Sequence, residues 1–296
     1  MHSSPYGVGT KWRGWIFVVP SLVLFALFMT FPIIQNVVNS FKEPGAVGLT
    51  LANYRTMIHD GIFGVALKNS ILWLILTTVI QMALGFFIAV LLESHINHGR
   101  AVFRTLLFLP MAITPTVIAI VFSNIYAPDY GLLFGVFEGL GLVKYFPALL
   151  ASRYTVTYAL IAVNVWQWVG FYVLMYSVGI SNISREILDA ARIDGVGGWR
   201  RIRYIIFPLV RSSHISLMIL GAIQALQQFP LIYLMTEGGP ANSSQVLATY
   251  IFQAGFLENN VNYASAISVV LLVIALIVAG LQLILTRGNF SIGGGQ

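Results

Sequence analysis

The sequence predicts an all-α membrane protein with six transmembrane helices, and three observations support this fold class. Hydrophobic residues make up 58% of the 296 residues and charged residues only 9%, whereas a soluble domain has about a quarter charged residues. Six segments reach the roughly 20 mostly apolar residues that a helix needs to cross a bilayer. All 26 charged residues lie outside or at the edges of those segments.

The predicted spans occupy about half of the chain. The first could be mistaken for a signal peptide, because Lys11 and Arg13 precede an apolar run. That run, from Trp15 to Ile34, is too long for a signal core and no small-residue cleavage site follows it, so we interpret it as a retained helix. Proline bends a membrane helix where neighbours satisfy the freed carbonyl, and Pro230, among several polar residues, predicts such a kink beside a pathway. The spans are 14–35, 69–92, 105–126, 156–181, 212–234 and 264–286.

Basic residues lie mostly on one side of these spans. With a cytoplasmic N-terminus, the inner segments hold ten basic and three acidic residues, and the outer loops hold four basic and six acidic residues. The positive-inside rule therefore predicts that both termini are cytoplasmic. The net charge of +6 then reflects topology, and no nucleic-acid partner is expected. The predicted organisation is a cytoplasmic segment 1–13, a membrane domain 14–286 with a cytoplasmic loop 182–211, and a flexible tail 287–296.

The composition also limits the chemistry that the chain can perform. It has no cysteine, which excludes disulfides, thiolate metal sites and cysteine catalysis. Pumps and ion-coupled carriers usually hold charged groups inside the membrane, and a membrane-embedded enzyme needs nucleophile, acid or metal groups there; the spans offer none. The phosphate-binding Gly-x-x-x-x-Gly-Lys-Ser/Thr pattern is absent, so the energy for transport is expected to come from another subunit. A channel or secondary carrier subunit remains the alternative.

The loop 182–211 predicts two short amphipathic helices. Ser184 is suited to cap the first helix, Glu186 lies near the positive end of its dipole, and Gly195 can end it in a left-handed conformation. A second helix is expected from about Trp199 until Pro208. The pair could lie on anionic lipid headgroups with its arginines as anchors, or it could dock into a soluble partner. Composition alone leaves both interpretations open.

The same loop resembles the signature of binding-protein-dependent ABC importer permeases. That signature reads Glu-Ala-Ala, three residues, Gly, nine residues, Ile, one residue, Leu-Pro. Here the corresponding residues are Asp189-Ala190-Ala191, Gly195, Ile205 and Phe207-Pro208, with the same spacing and with Asp and Phe replacing Glu and Leu. The form Ala190-Ala191-Arg192-Ile193-Asp194-Gly195 followed by Trp199 is similar to sugar-type members, as are segments 103–110, 128–131, 236–242, 247–250 and 263–266.

The resemblance implies a type I ABC importer permease fold in the cytoplasmic membrane of a bacterium or archaeon. It implies a second permease subunit that completes a heterodimer, two ATP-binding subunits that hold ATP and magnesium, and an extracytoplasmic solute-binding protein. This chain would itself need no cofactor or metal and would catalyse no reaction. The residues implied to dock the ATPase are Glu186, Asp189, Ala190, Ala191, Asp194, Gly195, Trp199 and Pro208.

Polar and aromatic residues in spans four and five are the candidate substrate pathway. Sugars are bound by aromatic rings and neutral hydrogen-bonding groups, and amides in lipid are expected to face the bundle or a cavity. Gln224, Gln227 and Gln228 would share one helical face. The other candidates are Asn164, Trp166, Gln167, Tyr172, Tyr176 and Tyr233. The alternative for all of them is hydrogen bonding between helices and interfacial anchoring.

The last outer loop is the candidate contact for the binding protein. Gly238, Gly239 and Pro240 form a turn without nearby basic residues, which favours an exposed protrusion; the alternative is an ordinary solvated loop. The sequence favours a carbohydrate or sugar derivative as substrate without identifying it. A phosphate or sulfonate ester would require a cation that the predicted spans do not supply.

Overall fold

The structure is a computed structural model that describes residues 9–43, 48–95 and 99–287, all of whose regular structure is helical. Most of the predicted segment 1–13 and nearly all of the tail 287–296 lie outside the described residues. The helices are α1 (Gly9–Phe25), α2 (Phe31–Ser40), α3 (Ala52–His59), α4 (Gly61–His95), α5 (Arg100–Ala112), α6 (Pro115–Ile125), α7 (Leu132–Gly139), α8 (Val156–Ser181), α9 (Arg185–Ile193), α10 (Gly198–Arg201), α11 (Phe207–Leu209), α12 (Arg211–Leu226), α13 (Pro230–Thr236), α14 (Leu247–Phe252) and α15 (Val261–Arg287).

The chain divides into two compact units, which are described separately. The first unit contains residues up to His59 together with Ile251–Val270. Its first apolar helix runs from Val18 to Ser40, through a π-helical turn over Ala26–Thr30, so the first span ends at Ser40 and not at the predicted residue 35. The Asn53 amide donates to the carbonyl oxygens of Ser40 (2.9 Å) and Lys42 (2.8 Å), which fixes the start of α3 against the end of α2.

The second unit contains Asp60–Tyr250 and the chain from Leu271 onward. Its central helix, α8, packs closely on α4 at Gly85 and on α5 at its own Gly170. A Cβ atom on Gly85 would lie 2.5 Å from Cβ of Tyr172, and one on Gly170 would collide with the carbonyl oxygen of Leu107 in α5. Since lipid tails are as apolar as leucine, small residues that allow close packing are what hold membrane helices together. The helix α8, Val156–Ser181, coincides with the predicted fourth span.

The third predicted span is not one continuous helix. Residues 101–112 and 115–125 form two helices at an angle of 95°, so the prediction of a single helix over 105–126 is wrong. Pro115 has no N–H to donate and disfavours helical geometry at the residue before it, and Thr114 accordingly has an extended backbone with ψ 145°. The carbonyl of Ile113 freed by the break accepts a hydrogen bond from the Gln167 amide at 3.3 Å.

The fifth predicted span, 212–234, is also interrupted. The helix α12 ends at Leu226, residues 227–229 are not helical, and Pro230 begins α13. Pro230 therefore starts a new helix and does not kink a continuous one, because a residue before proline is biased away from the helical region. Before α12, the segment Gly198–Leu209 meets Arg211–Leu226 at an angle of 69°. The described residues thus hold four uninterrupted apolar helices and two bent pairs, six spans in all when each pair counts as one.

Candidate functional site

The loop after α8 folds as its sequence predicts. The Ser184 hydroxyl accepts a hydrogen bond from the Ile187 N–H at 3.4 Å, which caps α9, and Glu186 lies in the first turn. Gly195 has φ +68°, and the next N–H, of Val196, donates back to the Ala191 carbonyl at 2.9 Å. Glycine adopts this left-handed geometry without the steric cost that a Cβ would bring. The predicted N-cap and the predicted glycine turn are both confirmed.

The exposed surface of α9 and the residue after it carries both charged and apolar side chains. Glu186, Asp189 and Asp194 are exposed, and Asp189 accepts from the Arg192 guanidinium at 3.0 Å. Ile193 is 86% exposed, so these charged groups lie beside a large apolar side chain that this chain leaves uncovered. Ala190 is exposed but Ala191 is buried within this chain. Only Ala190 of the predicted small pair is therefore available for close contact with another molecule.

The second part of the loop runs through α10, a π-helical turn over Ile202–Ile206 and α11. The Trp199 ring, 59% exposed, stacks on Phe87 of α4 with ring centroids 6.0 Å apart. Pro208 lies inside α11, and the chain bends only after Leu209. The prediction that Pro208 ends this helix is therefore wrong by one residue, because proline is tolerated in the first turn of the short helix that follows the π turn.

A small polar cavity lies in the middle of the second unit, where α12 ends. It has a volume of about 190 Å³ and neutral walls. The Gln81 amide donates to Oδ1 of Asn164 at 3.0 Å, and the Asn164 amide donates to Oε1 of Gln228 at 3.5 Å. Within the described residues, the Gln224 and Gln227 side chains have no hydrogen-bond partner. The lining residues are Thr77, Gln81, Asn164, Trp168, Gly221, Gln224, Ala225, Gln227 and Gln228.

Four of the predicted pathway residues therefore meet in one cavity: Asn164, Gln224, Gln227 and Gln228. The three glutamines were predicted to meet because they would share one face of a helix. That geometry is wrong, because α12 ends at Leu226 and only Gln224 lies within it. The unwound backbone after Leu226 directs Gln227 and Gln228 to the cavity instead. Irregular backbone at membrane depth is tolerated where it lines a cavity or is buried in protein.

The contribution of α4 to this cavity was not predicted from the sequence. Thr77 and Gln81 are four residues apart, so they lie on one face of α4, and both are buried. A buried polar pair at this spacing inside a mostly apolar span was the signal that could have identified them. Trp168, which also lines the cavity, lies four residues after Asn164 on α8.

The other predicted pathway residues lie elsewhere, each in a contact of its own. Trp166 is 44% exposed and its ring lies 5.0 Å from that of Phe122. Gln167 is engaged at the break between α5 and α6. Tyr233 stacks on the neighbouring Phe229 ring at 5.1 Å. Tyr172 and Tyr176 belong to a buried apolar cluster with Phe86, Val210 and Leu217, among other residues. The structure thus places none of these five in the wall of the cavity.

The loop after α13 is anchored, not extended into solvent. Gly238 is buried, and Gly239 and Pro240, joined by a cis peptide bond, are half-buried. The Asn69 amide of α4 donates to the carbonyl oxygens of Ser243 (2.7 Å) and Gln245 (2.9 Å), which holds the loop on the start of α4. The expectation of an exposed protrusion at 238–240 is wrong, because main-chain groups of the loop are satisfied by buried side chains of the bundle.

The loop after α8 and the loop after α13 lie at opposite ends of α8. Thr157, near the start of α8, donates to Ser243 O at 3.2 Å, whereas α9 follows directly after its end. A helix of 26 residues is about 39 Å long at 1.5 Å per residue, enough to cross a bilayer. The fold and these sites define a multi-pass membrane subunit with an anchored loop at one face, a neutral cavity at a helix break, and an amphipathic loop at the other face.

The family is shown by comparison with known proteins. The family of binding-protein-dependent transport system inner membrane components matches residues 81–290, and the chain belongs to this family. A probable ABC transporter permease protein, YurN of Bacillus subtilis (strain 168), is 34% identical over 91% of this chain and 94% of its own length. The lactose transport system permease protein LacF of Rhizobium radiobacter is 27% identical over 93% of this chain and 94% of its own length.

The fold is shown independently by solved structures. A bacterial ABC transporter involved in the import of the acidic polysaccharide alginate contains a chain that superposes with a TM-score of 0.86, at 21% identity, over 96% of this chain and 98% of that chain. The alginate transporter has also been crystallised with its pentasaccharide-bound periplasmic protein, with a TM-score of 0.85, 21% identity and coverage of 95% and 96%. The predicted type I ABC importer permease fold is confirmed.

Proposed function

We propose that this chain is the permease subunit that forms half of the pathway of an ATP-driven importer for a carbohydrate or sugar derivative. The observation that supports this most directly is the neutral cavity at the end of α12, with the free amides of Gln224 and Gln227. Gln224 is half-buried and Gln227 is exposed, and both line the cavity, so their amides can offer donors and acceptors to a polar ligand.

A sugar fits this cavity better than an ion or an acidic solute. Glutamine and asparagine supply both donors and acceptors, as hydroxyl groups require, and the Trp168 ring supplies an apolar face. No charged side chain lines the cavity in the described part of the chain. The names of similar proteins agree, since they include the lactose permease and a multiple sugar-binding transport system permease protein of Streptococcus mutans serotype c, 30% identical over 94% of this chain.

The loop over α9–α11 is proposed to dock one of two ATP-binding subunits, which would hold ATP and magnesium. Asp189 is exposed and would pair with a basic residue of the partner, in competition with its present pair to Arg192. The exposed Ile193 and Trp199 would add apolar contact, and Ala190 would allow close approach. Glu186, Asp194, the Gly195 turn and Pro208 complete the proposed contact; Ala191, being buried, would support it from within.

The remaining assignments follow from the same proposal. A second permease subunit would complete the pathway, and a solute-binding protein would deliver substrate at the loop after α13, where Glu237 and Ala241 are exposed beside Gly238–Pro240. Both termini and the docking loop would be cytoplasmic, in the cytoplasmic membrane of a bacterium or archaeon. The membrane domain would span 14–286.

The docking proposal is tested by co-purification of this chain with its ATPase and second permease. Asp189→Arg and Gly195→Pro are expected to lose the ATPase while still inserting into the membrane. Glu138→Arg is the matched control, because Glu138 is also an exposed acidic residue on a short helix, in α7. If both variants retain the ATPase as well as wild type does, the loop is not the docking contact. The lipid-surface interpretation would then replace it.

The substrate is identified with the assembled complex in vesicles. Binding proteins loaded with candidate sugars are added one at a time, and ATP turnover and uptake are measured together. A neutral sugar should stimulate both. Uptake that proceeds without ATP would instead support the channel or secondary-carrier alternative.

A further inference from the structure

A chain of hydrogen bonds crosses the bend between the proposed docking loop and α12. The Nε2 atom of His214 in α12 lies 3.1 Å from the carbonyl oxygen of Phe207 in α11. Its Nδ1 atom lies 2.7 Å from the hydroxyl of Tyr176 in α8. Phe207 and His214 stand on either side of the 69° bend at Val210. We call this set of contacts the Tyr176–His214–Phe207 staple.

The proton positions in the staple follow from its chemistry. A carbonyl oxygen can only accept, so Nε2–H must donate to Phe207. In the neutral ring, Nδ1 is then an acceptor and the Tyr176 O–H donates to it. Both ring nitrogens of His214 are thereby used, each by a different helix. The Tyr176 side chain is fully buried, so replacing His214 would leave its hydroxyl without a partner at a buried site. The bond from His214 to the Phe207 carbonyl lies at an exposed position.

Aromatic rings pack around the hydrogen bonds of the staple and restrict the movement of its residues. The Phe86 ring of α4 lies 5.5 Å from the Tyr176 ring, 5.4 Å from the Phe207 ring and 5.7 Å from the His214 ring. The Phe207 and His214 rings are themselves only 4.4 Å apart. The end of the docking loop therefore contacts α4 through Phe86 and α12 through His214. His214 in turn contacts α8 through Tyr176.

Contacts continue from the staple to the polar cavity. Tyr172 lies one turn before Tyr176 on α8, and its hydroxyl would collide with any Cβ added to Gly221 of α12. Gly221 and Gln224, three residues apart on α12, both line the cavity. Packed side chains thus join Phe207, at the end of the proposed docking loop, to the wall of the proposed sugar site.

We infer that His214 is a positioning residue for transport, which makes the docking loop and the cavity-lining parts of α8 and α12 move together. The inference depends on the proposed function, since it assumes that the loop docks an ATPase. Without the staple, the chain could flex at Val210 when the loop is displaced. Part of the displacement would then change the angle between α11 and α12 and would not reach the cavity-lining part of α12. Rigid elements with discrete packing arrangements are what convey such motions between distant sites.

The test uses the complete complex in vesicles, with ATP turnover and sugar uptake measured on the same sample. Tyr176→Phe removes one oxygen atom and His214→Phe removes both ring bonds while keeping an aromatic ring. The expected result is that the sugar imported per ATP hydrolysed falls about fivefold in Tyr176→Phe, the factor associated with one hydrogen bond. A loss at least as large is expected in His214→Phe. Tyr158→Phe is the matched control, since Tyr158 lies on α8 with its side chain 55% exposed.

Two further variants separate coupling from stability. In the double variant Tyr176→Phe with His214→Phe, the loss should equal that of His214→Phe alone, because both residues act through one set of bonds. His214→Gln can retain a donor toward Phe207 and should lie between wild type and His214→Phe. A purely structural role would lower the melting temperature and leave the ratio of sugar to ATP unchanged.

Clear outcomes overturn the inference. If the ratio of sugar to ATP in Tyr176→Phe and His214→Phe equals that of Tyr158→Phe, the staple does not couple the two sites. Should His214→Phe fail to assemble, Tyr176→Phe decides the question alone. Failure of the proposed function is recognised separately, because the wild-type complex would then neither retain the ATPase nor respond to any loaded binding protein.

Discussion

Replacing Gln224 by leucine tests the proposed pathway in isolation from the fold. Gln224 lines the polar cavity and its amide has no partner among the described residues, so the substitution breaks no internal hydrogen bond. A sugar hydroxyl facing leucine would lose its partner, at a cost of about 1–3 kcal/mol. That free energy corresponds to a fall in uptake of about 5- to 150-fold.

Comparison with Gln81→Leu separates the loss of a substrate contact from a loss of stability. The Gln81 amide donates to Oδ1 and to the backbone oxygen of Asn164, at 3.0 and 3.3 Å. Removing it leaves a buried acceptor unpaired, so stability should fall by about 1–3 kcal/mol and the melting temperature with it. Gln224→Leu should therefore reduce uptake at an unchanged melting temperature, whereas Gln81→Leu should reduce both.

The assay is uptake into vesicles containing the assembled complex, at saturating loaded binding protein, with melting followed on the same preparation in detergent. Gln35→Leu is the control, since Gln35 is exposed on α2 and is not one of the cavity-lining residues. Wild-type uptake in Gln224→Leu would refute the assignment of the cavity to the pathway. A lowered melting temperature in that variant would refute the inference that its amide is free.

Two glycine substitutions test the packing and the loop. Gly170→Ala should lower the melting temperature by an amount equivalent to about 1–3 kcal/mol, because its Cβ would overlap the Leu107 carbonyl; Gly64→Ala, with open space around it, should not. Gly195→Ala places a Cβ at φ +68°, costs about 1–2 kcal/mol, and should reduce ATPase retention. Gly197→Ala, at φ −106°, should retain it.

The local parts of the fold could be predicted from the sequence because their causes are local. The helix Val156–Ser181 matched its predicted bounds, since a long apolar run bounded by polar residues has one stable arrangement in lipid. The cap at Ser184 and the turn at Gly195 also depend on a few neighbouring residues only. The family resemblance was available for the same reason, because its signature lies in one continuous loop.

Other features depended on which helices lie side by side. A proline shows that a helix is weakened, but whether the helix bends or breaks depends on what satisfies the freed carbonyl. For Ile113 that group is Gln167, 54 residues further along the chain, a residue predicted from the sequence to line the pathway. The end of α12 at Leu226 likewise changed the geometry, though not the membership, of the glutamine set.

The sequence therefore determined which polar groups the chain carries. The tertiary structure determined which partner each of them binds. The sequence by itself determined that amides and aromatic rings occupy spans four and five without any charge. Only the packing of α4 on α8 decided that Gln81 joins Asn164, and only the packing of α12 on α8 decided that Tyr176 meets His214. Contacts of the last loop with Asn69 of α4 decided that residues 238–240 lie against the bundle. The physical reason is that a buried polar group must find a partner, and in this chain the partners come from different helices.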